Sequence, residues 1–208
     1  FYKGRLPENN KKAAGIVGAR ICTEYGKSVA YELGKNLSVN NIDVISGMAR
    51  GIDSMAHWGS IENKGCTYAI LGCGVDVCYP VQNIELYEQI FETGGLISEY
   101  TPGTAPLAWH FPSRNRIISA LSDSVVMVEA KEKSGSFITV DYALEQGKNV
   151  YALPGRINDL LSIGCNKLIL EGAVPLISIT QPAGDLIGEI KWENTGKKKF
   201  YLANEFEM

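Results

Sequence analysis

The residues best equipped for chemistry lie between His110 and Asp123, HFPSRNRIISALSD. Arg114 and Arg116 flank Asn115 just after a proline, and the apolar pair Ile117-Ile118 follows. Pro112 suits the approach to a helix or its first turn, and Ser113 is a good N-cap. The pattern predicts a helix from about Arg114 to Leu121, with an Arg-Asn-Arg triplet among the free N–H groups of its first turn. Cations are unfavourable at that end of a helix dipole unless an anion lies nearby, and a phosphate is the natural candidate. The same arginines could equally lie on a solvated face or pair with carboxylates.

Small residues collect at other corners of the chain. Gly18-Ala19-Arg20 follows one apolar run, and Ser46-Gly47-Met48-Ala49-Arg50-Gly51 follows the next. Gly72-Cys73-Gly74, Ser134-Gly135-Ser136 with Thr139, and Gly155-Arg156 complete the set. Glycine allows close backbone approach to a ligand, while hydroxyls and helix-start amides suit phosphate oxygens. A single corner of this kind is explained by turn geometry alone; several on one sheet edge, some carrying arginine, favour phosphate binding.

Several chemistries are disfavoured. GIVGARICTEYG is not GxGxxG, and Ser46-Gly47 stand where a dinucleotide fold carries its acidic residue. Neither GxxxxGK[ST] nor GxSxG occurs. Asp53 and His57, at i and i+4, could pair, although a capping or exposed pair is the simpler reading. Glu129, ending a strand, could be catalytic, with a structural role ahead of it. The five cysteines are scattered without a CxxC pair, and the two histidines are far apart, which argues against a zinc site and for reduced thiols.

These residues need elements to hold them. Apolar runs at 13–19, 43–46, 67–71, 96–99, 124–129, 149–153 and 174–177 read as strands. Helical spacing falls at 23–40, 52–63, 83–92, 139–146 and 162–171. The strands are apolar throughout and do not alternate, so both faces are buried. The reading is an α/β fold with a doubly wound, mostly parallel sheet. It divides the chain into a polar lead-in at 1–12, one domain at 13–180, and a tail or linker at 181–208 that holds Lys197-Lys198-Lys199. The 208 residues are 45% apolar and 21% charged, as in a globular domain. No apolar run approaches the roughly 20 residues of a membrane span, and the opening shows no signal-peptide pattern. The start at Phe1, without methionine, suggests a fragment of a longer protein. Net charge is -3, so any nucleic-acid contact must gather its cations into one site.

Laid out in order, these segments resemble the DNA-processing protein A (DprA/Smf) family. The likeness runs through GIVGAR, SGMARGIDSMAH, AILGCGVDVCYP, GGLISEYTPG, FPSRNRIISALSD, VMVEA with KSGSFIT, and ALPGR with SIGCNKLILEGA, over residues 4 to 178. It implies an extended Rossmann-like fold that binds single-stranded DNA without sequence preference. It further implies protection of incoming DNA, hand-over to the RecA recombinase in natural transformation, a cytoplasmic homodimer, and no enzymatic activity, cofactor or metal. Carried over by position, the DNA site uses Gly18, Arg20, Ser46, Gly47, Arg50, Phe111, Arg114, Asn115, Arg116, Lys133, Ser134, Gly135 and Ser136, with Lys167 further out. The cations hold phosphates, and Phe111 stacks on a base or belongs to the core. A competing expectation is a nucleotide phosphoribohydrolase-like enzyme of the same superfamily. The missing Pro-Gly-Gly loop counts against it, as does the lack of a glutamate before Glu145.

Overall fold

The computed structural model describes residues 1–188; the Lys197-Lys198-Lys199 run lies outside them. Eight strands form one sheet in the order β1-β5-β4-β3-β2-β6-β7-β8. They are β1 (Tyr2–Gly4), β2 (Ala13–Val17), β3 (Asp43–Ser46), β4 (Thr67–Ile70), β5 (Gly95–Ile97), β6 (Ser124–Met127), β7 (Asn149–Ala152) and β8 (Val174–Pro175). All neighbours are parallel except β1, which runs antiparallel to β5. The lead-in thus contributes an edge strand, because Tyr2–Gly4 finds the open edge of β5.

The helices are α1 (Glu24–Val39), α2 (Ile52–Glu62), α3 (Ile84–Thr93), α4 (His110–Ala120), α5 (Phe137–Glu145), α6 (Ile163–Leu170) and α7 (Gln181–Ile187). Side chains leave a strand on alternate faces, and both faces of this sheet are apolar. Ile16, Val44, Val126 and Tyr151 pack with Leu33 and Ala56 on one side. Val17, Ile45, Val125 and Met127 pack with Ile118 and Val140 on the other. Ala183 of α7 is buried in the first cluster, so ordered structure continues past the expected edge at residue 180.

The chain builds the sheet outward from β2 to β5, then returns across it to place β6 beside β2, with Ala14 opposite Ser124 and Val17 opposite Met127. A return of this kind leaves a crevice at the carboxyl ends of the two central strands, where adjacent loops diverge to opposite faces.

Two details set the frame of that crevice. Helices α1 and α2 touch at glycine: a Cβ on Gly34 would overlap the Ala56 carbonyl oxygen, and one on Gly59 the Tyr31 carbonyl oxygen. Helix α4 starts at His110, four residues earlier than the sequence pattern predicts, and Ser113 is not its N-cap. Pro112 is the third helical residue, where a missing N–H costs no intrahelical bond, so it need not stand outside the helix. The correction moves Arg114 out of the first three helical positions and turns it inward.

Candidate nucleic-acid interface

The crevice holds a cleft of about 480 Å³, lined by the β2–α1 loop, the β6–α5 loop and the start of α4. A recess of about 310 Å³ adjoins it over the β3–α2 turn and the Tyr79–Gln82 segment. Arg20, Ala49, Phe111 and Arg114 line both, so the two spaces form one surface.

Four cations serve this surface. Arg20, Lys131 and Lys133 are exposed in the cleft, and Arg50 is exposed in the recess. None of the four is in a salt bridge among the described residues. The basic residues at the opposite end of the sheet are committed elsewhere. Lys11 pairs with buried Asp43 at 2.7 Å and Lys12 with Asp123 at 2.9 Å. Lys148 donates to the carbonyls of Ser119, Ala120 and Ser122 at the end of α4.

Phe111, half-buried on α4, forms an aromatic wall with exposed Tyr79, their rings 5.4 Å apart and tilted by 35°. The guanidinium carbons of Arg20 and Arg114 lie 5.7 and 5.8 Å from the Phe111 ring centre, within cation–π range. Gly18 and the Ser134-Gly135-Ser136 turn face each other across the cleft: the Ser136 hydroxyl donates to the Gly18 carbonyl at 2.9 Å, and Ser134 donates to Ser136 at 3.2 Å. The serine side chains thus shape the turn. The amides of Ala19, Arg20 and Gly135 donate to no acceptor among the described residues. Asn115 reaches the Gly135 carbonyl at 3.4 Å.

Arg114 departs from the expected solvent-facing cation. It is 5% exposed, and its Nη1 donates to the carbonyls of Gly47, at 2.9 Å, and Ile70. Burial pulls its pKa down to about 10, partly offset by Asp53. Burial pushes the Asp53 carboxyl up, against the pull of Arg114. Asp53 accepts from the Gly47 amide at 3.2 Å. It does not pair with His57, whose Nδ1 bonds Thr67 at 2.6 Å.

Three other expected contacts lie away from the cleft. Ser46 is fully buried and donates to the Ile16 carbonyl at 2.6 Å, tying β3 to β2. Arg116 pairs with Glu99 on the far side of α4. Lys167 sits 3.7 Å from Glu132 and lines neither space. Glu129 is also taken: its carboxylate accepts from the Thr23 amide at 2.9 Å and the Thr23 hydroxyl at 2.5 Å, fixing the start of α1.

Sequence reasoning missed Tyr79, Gln82 and Lys131. Tyr79-Pro80 ends a glycine-rich segment, and an aromatic there was the available signal. Lys131 needed only the observation that Lys133 is its i+2 neighbour in the same loop. Among the described residues, no cluster of three His, Cys, Asp or Glu side chains is placed to hold a metal ion.

Sheet order and crevice together define a Rossmann-like α/β protein with a cationic, aromatic-walled site at its switch point. The chain matches the DNA recombination-mediator protein A family over residues 1–186 and belongs to that family. It is 44% identical to DNA processing protein DprA of Streptococcus pneumoniae over 173 residues, 83% of this chain and 61% of that protein. It is 43% identical to the Bacillus subtilis protein over 195 residues, 93% of this chain and 64% of the relative. The chain therefore spans less than two thirds of the length of these relatives. The crystal structure of the S. pneumoniae protein superposes with a TM-score of 0.83 at 42% identity, covering 91% of this chain and 65% of that one. DNA processing protein A from Helicobacter pylori, whose structure addresses its single-stranded DNA binding mode, superposes with a TM-score of 0.81 at 29% identity, covering 90% and 86%.

Proposed function

We propose that the chain binds single-stranded DNA without sequence preference, in the crevice between the β2–α1 and β6–α5 loops. The carrying observation is the placement of Arg20, Arg50, Lys131 and Lys133, all free of carboxylate partners among the described residues, around the Tyr79–Phe111 wall. Cations and bare amides suit phosphates of any sequence, and an aromatic face suits any base. Asn115 and the backbone of Gly18 and Gly135 complete the contact surface, while Gly47, its amide taken by Asp53 and its carbonyl by Arg114, only borders the recess. Likeness to the family supports the wider role: a cytoplasmic homodimer, not an enzyme, that protects incoming strands and passes them to the RecA recombinase in natural transformation. The phosphoribohydrolase-like alternative gains nothing from Glu129, whose carboxylate is occupied by Thr23.

A titration of labelled oligothymidylate against a duplex of equal length, across about 50 to 200 mM salt, tests the reading. Each phosphate neutralised on a single strand contributes about -0.7 to the slope of log K against log salt. Contacts from the named cations predict a slope of roughly -2 to -3 and tighter binding of the single strand. Equal binding of duplex, or a flat salt response, overturns the proposal.

A further inference from the structure

Arg114 occupies the centre of the site, yet its contacts are of a different kind from those of its neighbours. Arg20, Arg50, Lys131 and Lys133 are exposed; Arg114 is not. It joins three elements at once. It springs from α4, and it donates to the Gly47 carbonyl just past β3 and to the Ile70 carbonyl at the end of β4. One turn back on the same helix, Phe111 lies with its ring centre 5.8 Å from the guanidinium carbon. Gly47 is shaped around it, since a Cβ there would lie 2.5 Å from both Nη atoms. Asp53, itself buried, supplies the opposing charge and holds the Gly47 amide. The Nε of Arg114 is buried with no partner, and only the outer edge of the guanidinium borders the cleft and the recess.

We infer that Arg114 is a positioning residue that holds Phe111 and the Gly47–Arg50 turn in place for DNA without itself contacting a phosphate. The inference rests on the single-strand reading above. It assigns Arg114 a role opposite to that of Arg20, from which it differs by burial and by its carbonyl partners. A lysine keeps the charge but lacks the planar guanidinium that meets both carbonyls through Nη1 while its carbon stays within cation–π range of Phe111.

The test is a salt titration of oligothymidylate binding by wild type, Arg114→Lys, Arg114→Gln and Arg20→Ala, each checked for folding by circular dichroism. Both Arg114 variants are expected to lose about tenfold in affinity, the scale of one lost base stack, with the wild-type salt slope retained. Arg20→Ala is expected to flatten the slope by about 0.7. Restored binding in Arg114→Lys, or a flattened slope in Arg114→Gln, overturns the inference. Should the Arg114 variants not fold, Gly47→Ala displaces the guanidinium from the other side and is expected to reproduce the loss at constant slope. Wild-type affinity in folded Gly47→Ala also overturns it. Failure of the wild type to bind single strands removes the functional proposal itself, which separates the two failures.

Discussion

His57 shows how burial fixes the state of a single residue. Its Nδ1 donates to the Thr67 hydroxyl, which in turn donates to the Val44 carbonyl, so Nε2 is left as a bare acceptor in a dry site. Desolvation, with help from the Arg114 charge, pushes its pKa down to about 3. The folded protein therefore takes up this proton only near pH 3, whereas the unfolded chain takes it up near pH 6.5. More protons on the unfolded state mean that stability declines as pH falls through that window. The expected loss between pH 7 and pH 5 is about 2 kcal/mol from this group. Denaturant titrations at the two pH values, on wild type and His57→Gln, check it: the variant's profile should be flatter by that amount. Parallel profiles would show that His57 carries no such burden.

At the level of elements, the crossing of α1 and α2 and the start of α4 decide where the site's loops point. In an ordinary exposed helix, Gly→Ala gains about 1 kcal/mol. Here the sign reverses, because a methyl group on Gly34 meets the backbone of α2 rather than open space or a yielding side chain. Gly34→Ala is expected to cost about 1–3 kcal/mol, as overpacking does, read as a lowered denaturation midpoint. A neutral or stabilised variant would mean the helices can part without loss. Glu129, just past β6, fixes the start of α1 at the rim of the crevice, and Lys148 closes the far end of α4.

On the scale of the whole molecule, a net charge of -3 coexists with a local concentration of cations at one rim of the sheet. Overall repulsion of polyanions and local attraction together favour a narrow contact over a broad one. The sheet edge formed by β7 and β8, with α6, leaves large apolar side chains in water: Ile157 is 92% exposed, Leu170 87% and Ile177 64%. Large contiguous apolar patches, as distinct from single exposed side chains, mark surfaces that meet another protein. The proposed homodimer is expected to use this flank. Leu170→Glu combined with Ile177→Glu should shift sedimentation at micromolar concentration from dimer to monomer while single-site DNA affinity is kept. An unchanged dimer places the contact elsewhere.

Periodicity and composition were enough to determine the parallel α/β architecture and the strands from β2 to β7, because apolar runs of strand length alternating with helical spacing have one common solution. The glycine-rich corners likewise marked Gly18, Arg20, Gly47, Arg50 and the Ser134–Ser136 turn, and the family resemblance added Phe111. Tertiary structure alone decided which polar side chains are free. Arg114 and Arg116 lie two residues apart on one helix, yet one is buried on carbonyls and the other is bound to Glu99 on the surface. Where a helix begins sets its rotation, and its rotation sets whether a cation faces ligand, core or carboxylate; that register depends on neighbours far away in the chain.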